Sequence, residues 1–411
     1  MRDCRATAET EPGPRQERAM IVVGASVRGM AQSARRAGMV VHAADLFGDA
    51  DLRSIARTVV RLGTVFGGPP YPDGLPEAVR TMPVVPFCYT GGLENHPDLV
   101  DALARDRPLA GNPGAALKAV RDHGKLAAAV RSAGLGYPDT RLRPDDVPRD
   151  GSFLVKPRHS AGGGGIAAWH RETDPRPREA GLVWQRRVAG KAWAAAFVCH
   201  RGKARLYAVS RQLVGEPWCR ARAFSYCGSL DVPLIALPAP ARRQLDALGQ
   251  VLAGHFELVG LVGADLIIDR RGRVHVIEIN PRPTASMELG ERATGESMAT
   301  THLAACGFGR TRGRRPMPTT GIWAKAVVFV VEPRSVDGPL AARLAFQDAM
   351  WTARDGGWPA LADFPEVGER LSVGAPLVSV FARGTDARAA RRALRRRVTL
   401  VVQSLEMPPN R

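Results

Sequence analysis

Residues 263–283 read GADLIIDRRGRVHVIEINPRP, two apolar runs either side of a charged, glycine-containing turn. The pattern is that of a β-hairpin whose second strand ends on two polar residues before breaking at Pro281. With the turn centred between Arg271 and Gly272, Asp265 lies directly opposite Glu278. Side chains alternate along a strand, so Glu278 and Asn280 share a face. Directly opposed positions hold their Cβ atoms about 5 Å apart, which brings Asp265 to the same face. A bulge at Gly272 would slip that register. Two carboxylates this close, among Ile and Val, repel each other and lose hydration. Either one stays protonated or a divalent cation sits between them. Asn280 adds a neutral oxygen, which suits a hard cation that keeps waters and phosphate ligands, as Mg2+ does. A pair of exposed carboxylates at a sheet edge would use the same letters, so the neighbouring segments decide.

Those segments carry phosphate-binding parts. In FLVKPRHSAGGGGI (residues 153–166), Lys156 ends an apolar strand and four glycines, Gly162, Gly163, Gly164 and Gly165, follow. Such a run is costly to order and poor core material, but it lets backbone N–H groups approach an anion. A lysine at the strand end supplies a point charge for phosphates. Lys125, near the start of the helical stretch KLAAAVRSAG, is a second candidate phosphate ligand. Arg282, just past the carboxylates, is placed to touch whatever phosphate a metal there would hold.

In order and spacing these parts resemble the ATP-grasp superfamily over roughly residues 20–310. The most specific element is Asp265 followed by Glu-x-Asn-Pro-Arg at 278–282; the glycine run and the hinge strand VWQRRVAG (183–190) support it. The resemblance implies an α/β (α+β) fold: a disordered leader at 1–19, an N-terminal parallel α/β domain over 20–110, a two-subdomain nucleotide-binding region over 111–310, and a small β-rich C-terminal domain with a basic helix over 311–411. It implies ATP as cofactor with Mg2+, or Mn2+ in its place, on Asp265, Glu278 and Asn280. The glycine loop would cover the phosphates, and Gln185 and Val188 would meet the adenine. Catalytic roles fall to Arg282 and Lys156. Two departures stand out. The hinge is followed by Lys191 rather than an acid, which unsettles the ribose contacts. Gly263 stands where many members carry a basic residue, and Arg211 is the candidate replacement. GGLENHPDL, GNPGA and SRQLVGEPW are similar to a carboligase-like branch, some members of which accompany tetrahydromethanopterin- or methanofuran-linked one-carbon metabolism.

The chemistry so implied is phosphorylation of a carboxylate by ATP, then attack on the acyl phosphate by an amine. Phosphoryl transfer needs charge neutralisation and alignment more than covalent help, and no Ser-His-Asp or Cys-His arrangement is evident. For the substrates, Arg28 in GASVRG sits at an expected strand-to-helix turn, where an anion fits. Glu94, Asn95 and His96 follow another strand, on the side where open α/β sheets bind ligands. Glu94 would hold an incoming amine and His96 would take its proton; helix capping by His96 and a backbone bond to Glu94 are the plainer alternatives. The segment VVGASVRGMA at 22–31 has GxxxxG spacing and lacks the dinucleotide-binding GxGxxG.

Composition bounds the rest. The 411 residues suffice for two or three domains, 45% are hydrophobic, and no run approaches 18 apolar residues. The first 19 residues have no apolar core, which argues against a secretory signal. The six cysteines show no CxxC pair, fitting a reduced, cytoplasmic setting. The net charge of +18 raises nucleic acid as a partner, but aromatic residues are few and the basic run RAARRALRRRV at 388–398 reads more simply as a solvated helix face. A positive field would also speed the arrival of an anionic small substrate. The C-terminal ADFPEVGERLSVGAPLVSVFARG lacks a biotinyl- or lipoyl-carrier turn; packing over the nucleotide domain or homodimerisation is its expected role. The leading reading is an ATP-dependent carboxylate–amine ligase. The alternatives are an ATP-grasp small-molecule kinase and a basic nucleic-acid-associated protein.

Overall fold

The computed structural model describes residues 18–63, 70–160, 162–172, 181–309 and 320–407. The expected leader, apart from residues 18 and 19, lies outside them. Four parallel strands open the chain: β1 (Ala19–Gly24), β2 (Val40–Asp45), β3 (Thr58–Arg61) and β4 (Phe87–Tyr89), in the spatial order β3-β2-β1-β4. Helices α1 (Arg28–Arg36), α2 (Ala50–Arg53), α3 (Leu75–Arg80) and α4 (Pro97–Ala104) connect and flank them. β2 is buried along its whole length and β1 from Met20 onward, as central parallel strands with both faces covered must be.

Helices α5 (Gly114–Arg121) and α6 (His123–Ser132) lead into the second sheet. Asp122 caps α6 by accepting from the amides of Gly124 and Lys125. The second sheet is antiparallel, with β5 (Thr140–Arg141), β6 (Asp150–Pro157), β7 (Ala167–His170) and β8 (Leu182–Arg186) in the order β5-β8-β6-β7.

The third sheet is the largest. Its first part is β9 (Lys191–His200), β10 (Lys203–Val214) and β11 (Tyr226–Asp231), then α7 (Ala239–Gln250), then the hairpin β12 (Gly260–Ile268) and β13 (Val274–Asn280). Helices α8 (Met287–Thr294) and α9 (Met298–Ala305) pack behind it. The C-terminal residues add β14 (Ile322–Phe329), the short β15 (Arg334–Ser335), α10 (Gly338–Arg354), β16 (Leu361–Ala362), β17 (Arg370–Leu371), β18 (Pro376–Gly384) and α11 (Ala387–Glu406). Eight of these strands form one antiparallel sheet, β13-β12-β9-β10-β11-β14-β18-β16.

The C-terminal strands therefore continue the sheet of β9–β13 instead of forming a sheet of their own. The seam is tight: a Cβ on Gly228 of β11 would lie 2.1 Å from the Lys325 carbonyl of β14, and Gly228 itself has φ +144°. The basic helix α11 is present. Its Ala390, Leu394, Val398, Val401 and Leu405 face the sheet at spacings of three and four, leaving Arg388, Arg392, Arg395 and Arg396 outward, while Arg397 turns in to Asp355 and the Phe381 carbonyl. The 17-residue α10 beside it was not anticipated from the sequence. One apolar core, including Phe197, Leu248, Leu252, Val262 and Val276, lies under β9–β13 and α7; a second, including Trp351, Val380 and Leu394, lies between the C-terminal strands and α10–α11. Among the described residues no helix is long and apolar enough to cross a membrane.

Candidate active site

Asp265 and Glu278 are register partners across the β12–β13 hairpin, as the sequence suggested, by a route it did not show. The turn is one residue tighter than expected, pairing Ile268 with Val274 about Arg271, and a bulge at Ile277 restores the offset before Glu278. The Asp269 carboxylate fixes the turn by accepting from the Arg271 and Arg273 amides at 2.8 and 3.0 Å.

Asp265 accepts from Gln212 Nε2 at 2.6 Å and from Asn280 Nδ2 at 2.9 Å. Burial, and then repulsion from Glu278, push its carboxyl up to about 6. Glu278 accepts from Arg121 Nη1 at 3.0 Å. Arg121 also donates to Asn95 Oδ1 at 2.8 Å and to the Arg158 carbonyl at 3.1 Å. Among the described residues no three His, Cys, Asp or Glu side chains converge as a metal cluster. The donors here are instead two carboxylates and one amide oxygen, a hard set short of six ligands, and the like-charge strain at Asp265 is what a divalent cation would relieve. The residues fit Mg2+.

Lys156 ends β6 on the facing sheet. Its Nζ donates to Gln185 Oε1 at 2.5 Å, and Gln185 Nε2 donates to Thr140 Oγ1 at 3.2 Å. Burial lowers the Lys156 ammonium, while Glu278 and Asp265 pull it back up, so the lysine lies within electrostatic reach of both carboxylates. The glycine loop is seated on the segment before β11. The Tyr226 amide donates to the Gly162 carbonyl at 3.0 Å, and a Cβ on Gly163 would lie 2.1 Å from the Phe224 carbonyl. Gly162, Gly163 and Gly165 all have positive φ.

These groups border a single cleft of about 1230 Å3 that continues to the carboxyl ends of the N-terminal parallel strands. There the Arg282 guanidinium pairs with Glu94, and Arg282 Nη2 also reaches Asn280 Oδ1 at 3.3 Å. Glu94 Oε2 and Arg282 Nε are buried without partners. Burial raises the Glu94 carboxyl, but Arg282 outweighs it and holds the group below its ordinary value.

The sequence candidates thus divide. Asp265, Glu278, Asn280, Lys156, Gly162, Gly163, Gln185, Arg282, Glu94 and Arg28 border the cleft. Lys125, Gly164, Gly165, Val188, Asn95, His96 and Arg211 are not among its lining residues. Lys125 is exposed on the first turn of α6. Arg211 points outward because strand alternation turns its neighbour Gln212 inward, so the residue of β10 that reaches the carboxylate is Gln212. Arg28 is no open anion ligand: it is buried against Glu288 and donates to Asp363 at 2.7 Å and Gln32 at 3.1 Å. Sequence reasoning passed over Arg121 and Gln212. Alternation along β10 pointed to Gln212; nothing local pointed to Arg121.

Residues 120–286 match the family model of an ATP-grasp domain. No curated protein matches the chain by sequence. Solved structures share the fold over nearly the whole chain. An N5-carboxyaminoimidazole ribonucleotide synthetase in its ADP complex superposes with TM-score 0.67 at 15% identity, covering 94% of this chain and 98% of that one. An L-amino acid ligase from Bacillus licheniformis gives 0.67 at 13%, covering 97% and 100%. A biotin carboxylase from Campylobacter jejuni gives 0.64 at 11%, covering 96% of each.

Proposed function

We propose that this chain, whose residues 120–286 match an ATP-grasp domain, is an ATP-grasp enzyme and an ADP-forming carboxylate–amine ligase acting on small molecules. The observation that carries the reading is the pairing of Asp265 with Glu278, beside Asn280, in a cleft they share with the half-buried Lys156.

Asp265, Glu278 and Asn280 would hold Mg2+, which when bound neutralises phosphate oxygens. Gln212 and Asn280 orient Asp265 by donating to it; Arg121 does the same for Glu278. Gln185 holds Lys156 Nζ at the end of β6, where its charge offsets a phosphate. The glycine loop, docked on Phe224–Tyr226, excludes water from the transferred group. Arg282, fixed by Glu94, stands between the metal ligands and the end of the cleft where the acid would lie. The acid's oxygen attacks the γ-phosphorus and ADP leaves. An amine nitrogen then attacks the acyl carbon, the C–O bond to phosphate breaks, and the amine proton is lost as the amide forms. No protein nucleophile is needed.

The test is ADP release from Mg·ATP across a panel of carboxylic acids with hydroxylamine as surrogate amine. The panel includes acids of tetrahydromethanopterin- and methanofuran-linked one-carbon metabolism, the setting we propose. Acid-dependent ADP plus hydroxamate, abolished in Glu278→Gln, is the expected result. ADP with a stable phosphorylated product and no hydroxamate would make the protein a kinase. Absence of both Mg·ATP binding and turnover would sink the reading.

A further inference from the structure

The far end of the cleft is built from the carboxyl end of β2, the start of α2 and the segment around Asp363. Four aspartates meet there in a chain whose net charge is +18. Three are satisfied. Asp45 accepts from the amides of Val27, Phe47 and Gly48 at 2.7, 2.9 and 2.7 Å. Asp51 accepts from the amides of Asp363 and Phe364, both at 3.1 Å, and from Gln32 at 3.4 Å. Asp363 accepts from Arg28 Nε and Nη2 at 2.7 and 3.2 Å.

Asp49 is the exception. It borders the cleft, is only 8% exposed, and its Oδ2 is buried with no hydrogen-bond partner. Although it precedes α2, its side chain caps nothing. Burial and then the charges of Asp363, Asp45 and Asp51 push its carboxyl well above the ordinary range, with Arg28 alone opposing. The nearby cations have other carboxylate partners. Arg28 is held by Glu288, Asp363 and Asp51, Lys325 Nζ donates to Glu288 at 2.7 Å, Arg53 pairs with Glu366 and Arg61 with Glu369. A carboxyl side chain that borders a cavity among three other aspartates, with no hydrogen-bond partner at Oδ2, wants a cationic donor.

We propose that this end of the cleft is a subsite for a cationic group of the second substrate, an ammonium or guanidinium carried in addition to its reacting nitrogen, with Asp49 as the counter-ion. The proposal rests on the ligase reading. The reacting nitrogen belongs at Glu94, which borders the cleft and is tied through Arg282 to the metal ligand Asn280. The substrate class is then a diamine or a basic amino acid, and a plain monoamine would leave Asp49 unmet.

The test uses the full chain and α,ω-diamines of three to six carbons, each against the monoamine of equal length, in calorimetric titrations with Mg·ADP present. A matched diamine is expected to bind about 10- to 100-fold tighter than its monoamine, the size of a charge-assisted hydrogen bond. Asp49→Asn, which keeps the shape and removes the group able to act as counter-ion, is expected to bring that preference to about twofold or less. Asp49→Ala should do the same, with Mg·ADP affinity unchanged in both. Equal binding of every diamine and monoamine pair, or a preference that survives in both variants, overturns the proposal. Mg·ADP titrated alone reports separately on the ligase reading: a chain that binds diamines selectively but no Mg·ADP loses that reading and keeps the subsite.

Discussion

Asp265 and Glu278 face each other across a hairpin because a bulge at Ile277 compensates a turn one residue tighter than simple pairing would give. The pair is held in like-charge opposition by the fold itself, with the Asp265 carboxyl raised to about 6. Replacing Asp265 by Asn removes a buried charge that costs stability without a cation. At pH 8, above that value, Asp265→Asn is expected to melt no lower than wild type. It is also expected to lose the stabilisation that Mg·ADP gives the wild type. Scanning calorimetry with and without Mg·ADP checks both, and a variant that keeps the Mg·ADP shift would remove Asp265 from the metal site.

Arg282 and Glu94 form a charge pair in which Glu94 is buried and Arg282 only 12% exposed, so losing one member strands the other. Arg282→Met alone is expected to cost about 3–5 kcal/mol, as for other broken buried pairs. The double variant Arg282→Met/Glu94→Gln should recover much of that loss, since no uncompensated charge remains. Urea denaturation of the four proteins gives the coupling energy. Additive losses would mean the pair is not a unit.

Gly162 and Gly163 both have positive φ, but only Gly163 is also crowded, against the Phe224 carbonyl. Gly162→Ala therefore meets only the left-handed backbone penalty, about 1–2 kcal/mol. Gly163→Ala cannot seat the loop at all without displacing backbone. Its KM for ATP is expected to rise about tenfold or more over that of Gly162→Ala, a difference of one well-made contact. Steady-state kinetics on the two variants decides it; equal effects would mean that the loop's docking on Phe224 is not used in turnover.

How far the sequence reached follows from where the information lay. Glu278 and Asn280 were legible because alternation is local to one strand, and Asp265 because a hairpin is only a little less so. The bulge at Ile277 was not, since it cancels against the tighter turn and leaves no trace in the pairing of the polar residues. Arg211 was chosen over Gln212 on chemistry alone, where the inward face of β10 decides. Arg28 looked like an anion site because its partners Glu288 and Asp363 lie 260 and 335 residues away. Arg121 and Asp49 likewise acquire their meaning from tertiary neighbours, Glu278 for one and three other aspartates for the other.

His302 gives the last prediction. It sits fully enclosed in α9, where Nδ1 accepts from the Leu261 amide at 2.9 Å and Nε2 donates to the Ala110 carbonyl at 2.9 Å. It thereby ties the N-terminal domain to β12 as a neutral ring. Burial lowers its imidazole to about 4, with the Ala110 contact opposing weakly. Between that value and the ordinary 6.5 the unfolded chain binds a proton that the folded one refuses. Stability from this group is therefore full above pH 6.5 and falls as pH drops toward 4, by about 3 kcal/mol in all. His302→Gln keeps one donor and one acceptor but cannot be protonated. It is expected to be less stable than wild type at pH 7.5 and to lose less stability on acidification to pH 4.5. The measurement is the difference between the two urea-unfolding free energies at the two pH values. Parallel losses would show that the ring is already protonated or solvated in the folded protein.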